Sequence, residues 1–173
     1  IFAEFPRLLA NKALISLIAD TLTLIVVSSG TLEVHAVEEV MDNALKSHFH
    51  EMHEPQHALT TLADALPALG IVAAVLGIVK TMGAINEPPE ILGLMIGKAL
   101  VGTFLGVFLA YGIVGPMAAK LNAVIEHDAQ FYKIIRDVLV AHLHGNAAQV
   151  SVEIGRGSVP SSMQPSFAQL EEA

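Results

Sequence analysis

Two long apolar stretches dominate the sequence: LADALPALGIVAAVLGIV at residues 62–79 and ILGLMIGKALVGTFLGVFLAYGIVGPM at residues 91–117. The first carries one charged residue, Asp64 near its start, and the second carries only Lys98. Because crossing the hydrocarbon core of a bilayer takes about 20 mostly apolar helical residues, both stretches are long enough to cross it. Residues 80–90 (KTMGAINEPPE) join them and are rich in Gly, Pro and polar residues. The pattern predicts a transmembrane helical hairpin.

The composition supports a membrane protein and excludes several other classes. Of 173 residues 53% are hydrophobic, and the mean hydropathy of +0.59 is too high for an ordinary soluble domain. A buried hairpin in a soluble protein is the alternative, but two such helices would leave little polar surface in a chain of this length. The net charge of −8 argues against nucleic acid as a partner, because phosphate binding needs clustered Lys and Arg. The absence of Cys excludes disulfides and thiolate metal sites.

The basic residues outside the hairpin predict its orientation. More of them lie before and after the hairpin than in or beside its short loop, which favours both termini on the cytoplasmic side of the membrane. The outer set is Arg7, Lys12, Lys46, Lys120, Lys133, Arg136 and Arg156, against Lys80 and Lys98 on the loop side. We therefore expect a cytoplasmic helical region at residues 1–61, a periplasmic loop at 80–90, and a long cytoplasmic helix with a C-terminal tail at 118–173.

The region before the hairpin has the pattern of two helices. The first covers Phe5 to Val27, with Pro6 in its first turn, and ends at Ser28-Ser29-Gly30; its apolar run is too short and interrupted for a third span. The second is amphipathic and capped by Thr31. Its predicted apolar side consists of Val34, Val37, Val40, Met41 and Leu45.

The region after the hairpin is predicted to be a long helix and a loosely structured tail. Pro116 should break the second span, and helical periodicity resumes at Leu121 and continues to Leu139. In the tail, residues 150–154 (VSVEI) have the alternation of a short strand.

Small residues recur at helical spacing in both spans. Such faces let helix backbones approach closely in lipid, where packing drives association. In the first span the face is Ala63, Pro67, Gly70, Ala74 and Gly77; in the second it is Ala99, Thr103, Gly106 and Ala110, with Gly102 and Gly106 forming a GxxxG. We expect both spans to pack tightly against other helices.

No catalytic constellation is present in the sequence, so we do not expect an enzyme. His48, His50, His53 and His57 lie close together beside acidic residues, and imidazole with carboxylate can bind zinc or nickel. Pro55 should interrupt the helix needed to place His53 and His57 on one face. The segment is therefore interpreted as an exposed polar linker, with no metal site assigned.

The membrane stretches contain few polar groups. Asp64, Glu87 and Glu90 lie near span ends, so no carboxylate occupies either midplane, and a proton path would need an acid from another chain. Thr103 is the hydroxyl deep in the second span, and on the residues alone a bond back to its own helix is favoured.

Two prolines and two tyrosines in or near the spans allow more than one role. Pro67 and Pro116 can each be a fixed kink or a hinge. Tyr111 and Tyr132 are the only candidates for aromatic interfacial anchors of the Trp and Tyr type.

Several stretches resemble the MotA-type stator subunits of the bacterial flagellar motor, within the MotA/TolQ/ExbB proton channel family. ADALPALGIVAAVLGIV (63–79) resembles their third transmembrane helix, and ALVGTFLGVFLAYGIVGPMA (99–118) resembles the fourth. IFAEFPRLLA (1–10) is similar to the later part of their cytoplasmic loop, and VEIGR (152–156) and PSFAQLEE (165–172) to their tail. The resemblance covers nearly the whole chain and implies that it is the C-terminal portion of a subunit with four transmembrane helices.

The resemblance also implies partners and roles for residues. It implies a homo-pentamer around two MotB-type chains that supply the membrane aspartate, in contact with the rotor protein FliG through charged residues expected upstream of Ile1. Pro67 and Pro116 would couple ion flow to movement, and Thr103 and Tyr111 would belong to the ion pathway. Residues 66–79 contain no Ser or Thr, which favours H⁺ over Na⁺ as the coupling ion, with no other cofactor. An ExbB- or TolQ-like energiser of outer-membrane processes and a non-conducting truncated scaffold are the alternatives.

Overall fold

The computed structural model describes residues 11–27, 34–161 and 163–171, and every regular element in them is helical. The elements are α1 (Lys12–Val27), α2 (Val34–Met82), α3 (Pro89–Phe108), a π-helical turn (Leu109–Val114), α4 (Gly115–Leu143), α5 (Ala148–Gly157) and α6 (Phe167–Glu171). They form two compact units, each described separately below. The flanking unit comprises the described parts of Ile1–Glu51 and Glu126–Ala173, and the hairpin unit comprises Met52–Ile125.

The flanking unit has a core of large apolar side chains. Leu14 of α1 is fully buried beside Leu45 of α2 and Tyr132 of α4. A second cluster joins Met41 of α2 to Val140 of α4. This is the conventional arrangement in which burying large hydrophobic side chains supplies the driving force, about 1.5–3 kcal/mol for each one fully buried.

The start of α1 differs from its prediction. The described helix begins at Lys12 rather than Phe5, because the side chain of Asn11 caps it: the Leu14 amide donates to Asn11 Oδ1 at 3.2 Å. Pro6, the Ser28-Ser29-Gly30 stop and the Thr31 cap lie outside the described residues. The same Asn11 oxygen accepts a hydrogen bond of 2.8 Å from the Tyr132 hydroxyl. Tyr132 is therefore a buried core residue, and the prediction that it could be a membrane anchor was wrong.

The predicted apolar side of the amphipathic helix is confirmed at three of its five positions, and Val34 at its start is half-buried. Val37, Met41 and Leu45 are buried at successive intervals of one turn. Val40, however, is 55% exposed, because the stripe follows the four-residue spacing and Val40 lies at its edge.

The strand-like interpretation of residues 150–154 was wrong, because they lie within α5. The helix buries Ser151 and Gly155, one turn apart, and leaves the larger Val and Ile side chains of the segment exposed. A side chain on Gly155 would collide with Val138 of α4, so the glycine allows close packing there. Gly145, with φ of +86°, provides the left-handed residue in the turn before α5.

A charged cluster links three segments of the flanking unit. The Arg136 guanidinium donates to both carboxylate oxygens of Asp42, at 2.8 and 2.9 Å, and also to Glu38 and Asp137. Ser158, just after α5, donates to the other oxygen of Asp137 at 3.0 Å. Burial lowers the pKa of Arg136, but the hydrogen bonds to Asp42, Asp137 and Glu38 outweigh this and raise the pKa above its ordinary value.

Candidate functional site

The two helices of the hairpin unit pack through glycines. A Cβ on Gly106 would lie 2.6 Å from the carbonyl oxygen of Leu66 and 3.1 Å from the Cα of Gly70. A Cβ on Gly70 would in turn lie 2.8 Å from the carbonyl oxygen of Gly102. Since these neighbours are backbone atoms, they cannot move aside as a flexible side chain would. The helices approach this closely only because the positions are glycine.

The remaining small residues of the predicted faces extend this contact along the hairpin. A side chain on Gly77 would collide with Ala99, and one on Gly102 would lie 2.9 Å from the Cβ of Ala73. The buried alanines among the predicted face residues are Ala63, Ala74, Ala99 and Ala110. The two small faces identified in the sequence therefore contact each other, with Ala73 as an additional member that the sequence pattern did not include.

The large apolar side chains of the hairpin point outward. The exposed set includes Leu69, Ile71, Val72, Val75, Leu76, Val79, Leu94, Leu100, Val101, Phe104 and Phe108. The helices containing them, Val34–Met82 and Pro89–Leu143, are the two described helices long and apolar enough to cross a membrane. The hairpin thus has small residues at the contact between its helices and large apolar residues on its outer surface. This arrangement is expected where the surroundings are lipid or apolar helices rather than water.

Thr103 connects the two spans. Its hydroxyl donates to the carbonyl oxygen of Gly70 on the facing helix, at 3.3 Å. The interpretation favoured by the residues alone, a bond back to its own helix, was therefore wrong. The helices are close enough at Gly70 for a threonine hydroxyl to reach across, and nothing in the local sequence of Thr103 indicates this partner.

Neither proline interrupts the helical run in which it lies. Pro67 lies within α2, and Pro116 is the second residue of α4. The prediction that Pro116 breaks the span was wrong because the π-helical turn Leu109–Val114 comes directly before it. In that turn the Gly115 amide donates to Ala110, five residues back, so the helix widens where a proline ring would clash with the preceding turn.

Tyr111 lies in the π-helical turn and is 72% exposed. One and two turns earlier, the rings of Phe108 and Phe104 stack with centroids 6.0 Å apart, and both are exposed. The structure thus places Thr103 in the contact between the spans and Tyr111 on an outward surface. It does not bring their side chains together as a pair.

The carboxylates in and beside the two spans are exposed and lie near the span ends, and Lys98 of the second span is exposed as well. Asp64, Glu87, Glu90 and Lys98 all have exposed side chains. No described residue places a carboxylate in the middle of either span. Between the two spans the described structure therefore places backbone carbonyls and the Thr103 hydroxyl, and no carboxylate.

The histidine segment is helical. Pro55 lies inside α2, so the expectation that it interrupts the helix between His53 and His57 was wrong. Within the described ranges, no group of three or more His, Asp or Glu side chains is placed to hold a metal ion.

The fold and the hairpin together define an all-helical membrane protein, as predicted. The profile of the MotA/TolQ/ExbB proton channel family matches residues 10–133. The chain belongs to that family.

Individual relatives extend the match over almost the whole chain. This chain is 40% identical over 172 residues to Motility protein A of Escherichia coli (strain K12), covering 99% of this chain and 58% of the relative. This chain is also 39% identical to Motility protein A of Salmonella typhimurium, again covering 99% of this chain and 58% of the relative. Chemotaxis protein LafT of Vibrio parahaemolyticus is 30% identical, with 60% of its length covered. The chain thus spans somewhat more than half the length of these relatives.

Solved structures support the fold. The flagellar MotAB stator complex from Bacillus subtilis matches with a TM-score of 0.71 at 21% identity, over 91% of this chain and 59% of that one. The C. jejuni MotAB structure matches with a TM-score of 0.75 at 16% identity, over 96% and 62%.

Proposed function

We propose that the chain is a stator subunit of the bacterial flagellar motor, which conducts protons together with a MotB-type partner and converts ion flow into torque on the rotor. The observation that carries this is the 40% identity to Motility protein A of Escherichia coli over 172 residues. The names of the other relatives, Motility protein A and LafT, point to the same process.

The distribution of acids supports a partner chain. A proton path through a membrane normally includes a titratable residue within it. The carboxylates in and beside the spans, Asp64, Glu87 and Glu90, lie towards the span ends. The acid must then come from another chain, the role proposed for the MotB-type aspartate.

The lining of the hairpin supports H⁺ as the coupling ion. Sodium needs several oxygen ligands, whereas residues 66–79 contain no hydroxyl or carboxylate. In this proposal Thr103 and Tyr111 belong to the ion pathway, and Pro67 and Pro116 couple ion passage to movement. The Thr103 hydroxyl would then have two orientations, one that donates to the Gly70 carbonyl and one that faces the ion pathway.

The proposed assembly is a homo-pentamer around two MotB-type chains in the inner membrane, contacting FliG on the cytoplasmic side. The flanking unit carries the larger share of the charged side chains, including the Arg136 cluster, which suits it to an aqueous compartment. The outward apolar side chains of the hairpin suit it to lipid and to neighbouring transmembrane helices.

A chimera tests the proposal directly. The segment of Escherichia coli Motility protein A that matches this chain is replaced by the chain, and the product is expressed in a cell without its own stator. We expect swimming in sodium-free medium that a proton uncoupler abolishes. Swimming that requires sodium would refute H⁺ as the ion. A chimera that inserts into the membrane and supports no swimming would refute the stator role and favour an energiser of the ExbB or TolQ kind.

A further inference from the structure

The hairpin unit contains a pair of histidines at the spacing used for metal chelation. His53 and His57 belong to the sequence His-Glu-Pro-Gln-His, with the imidazoles four residues apart. Two histidines at this spacing bind one metal ion only if the segment is helical, because a helix places residues i and i+4 on one face. The decisive question is therefore whether Pro55, between them, ends the helix.

The helix continues through Pro55. Helix α2 runs from Val34 to Met82 with Pro55 inside it. Beyond the proline, the Thr60 and Thr61 hydroxyls donate to the carbonyls of Gln56 and His57, at 3.1 and 2.9 Å. Residues one turn apart on a helix have Cβ atoms about 5–6 Å apart. Imidazole arms of that separation converge readily on an ion at the zinc–nitrogen distance of about 2.0–2.1 Å.

The surroundings allow an ion to reach the pair. The His57 side chain is exposed and that of His53 is half-buried. Imidazole is a ligand suited to Zn²⁺, Ni²⁺ and Cu²⁺, and the neighbouring Glu54 adds negative charge beside the pair. Since no third protein ligand stands with them in the described part of the chain, water must complete the coordination.

The same proline gives metal binding a structural consequence. Pro55 has no amide hydrogen, so α2 lacks the backbone hydrogen bond that residue 55 would donate to the carbonyl of Glu51, in the turn that contains His53. We propose that His53 and His57 chelate a divalent transition-metal ion of the Zn²⁺ class, and that the ion braces α2 across Pro55. Because only the helical conformation presents both ligands, bound metal stabilises that conformation by mass action.

Calorimetric titration of the purified full chain in detergent with ZnCl₂ tests the binding. We expect the tightest site to weaken about a hundredfold in His53→Gln and in His57→Gln, since either change removes chelation and leaves a single imidazole. The matched control is the double variant His142→Gln/His144→Gln, which removes two histidines at a spacing of two and should leave the tightest site unchanged. Unchanged tightest-site affinity in both His53→Gln and His57→Gln would overturn the site.

Amide hydrogen exchange tests the bracing. In the native sequence, Zn²⁺ should slow exchange of the amides of residues 56–61 at least severalfold, and it should have no such effect in His57→Gln. Metal binding that leaves these exchange rates unchanged would overturn the bracing role. Neither measurement involves swimming, so failure here is distinguishable from failure of the proposed stator function.

Discussion

The hairpin unit and the flanking unit follow the same helical period but bury opposite kinds of side chain. The flanking unit encloses Leu14, Met41 and Tyr132 and keeps charged groups at its surface. The hairpin unit encloses glycine and alanine and turns its leucines, valines and phenylalanines outward. In water, hiding large apolar groups drives folding, whereas in lipid that gain disappears and close backbone approach takes its place.

The comparison predicts that a larger side chain at the contact between the two hairpin helices causes the largest loss of stability. Gly106→Leu would force side-chain atoms against the backbone of Leu66 and Gly70, and we expect it to cost at least about 3 kcal/mol of hairpin stability. The matched control is Gly97→Leu on the same helix, where no atom lies within 4 Å of the added Cβ. Unfolding of the two variants in detergent should separate them clearly, and equal losses would contradict packing through glycine.

In the flanking unit the comparable vulnerability is electrostatic. Arg136→Gln would leave Glu38, Asp42 and Asp137 facing one another without their shared cation. Because the Arg136 side chain is 18% exposed, we expect a loss of about 2 kcal/mol, below the cost of breaking a fully buried pair.

The control for Arg136 is Lys133→Gln, an exposed cation on the same helix, with an expected effect within about 0.5 kcal/mol. Thermal unfolding followed in the far ultraviolet measures both variants. If Lys133→Gln destabilised the protein as much as Arg136→Gln, loss of any positive charge, rather than loss of the cluster, would be the cause.

Substitutions at Thr103 distinguish a role in hairpin stability from a role in the proposed ion pathway. Thr103→Val removes the hydroxyl at nearly constant shape, and the lost hydrogen bond to Gly70 should cost about 0.6 kcal/mol. In the chimera we expect swimming to be lost with Val and retained with Ser, which keeps the hydroxyl. Normal swimming of Thr103→Val would leave the residue as a link between helices and remove it from the ion pathway.

The smallest effect is expected at the half-buried ion pair of α5, Glu153 with Arg156. The hydrogen bond from Arg156 lowers the pKa of Glu153, against a smaller opposing effect of desolvation. A lowered pKa stabilises the fold above the ordinary value of 4.5, and this contribution is lost as pH falls below that value. The difference in Tm between the native sequence and Glu153→Gln should therefore be present near neutral pH and shrink progressively as pH falls below 4.5; a difference that stays unchanged in acid would contradict the linkage.

The sequence predicted the features that depend on residue type and periodicity. The apolar spans, the small faces and the stripe of Val37, Met41 and Leu45 follow from composition and spacing alone. The features that the sequence did not reveal depend on a contact with a residue distant in sequence or on a local change from α-helical to π-helical geometry. Arg136 meets Asp42 across a long separation in sequence, and Thr103 reaches a backbone carbonyl that no side-chain pattern marks.

The errors at prolines have a common cause. Pro55 lies inside α2, and Pro116 lies in the first turn of α4, which continues directly from the π-helical turn, although each of these prolines removes a backbone hydrogen bond. Long helices with many other backbone bonds and packing contacts absorb that loss, and at Pro116 the π-helical turn relieves the clash. At residues 150–154, alternation suggested a strand because the sequence carries no sign of the close contact between Gly155 and Val138.

The π-helical turn Leu109–Val114 has a consequence for how this segment can diverge. A π-helical turn is an α-helical turn with one residue inserted, and each residue of an α-helix turns the chain by about 100°. Because the wider turn takes up about the rotation of one residue, deleting a single residue there would restore an ordinary α-helix and leave the residues that follow, Pro116 included, on nearly the same faces. Homologous chains can thus differ by a one-residue gap at this turn without losing the helix, so an alignment carried through it without a gap can pair residues from different faces.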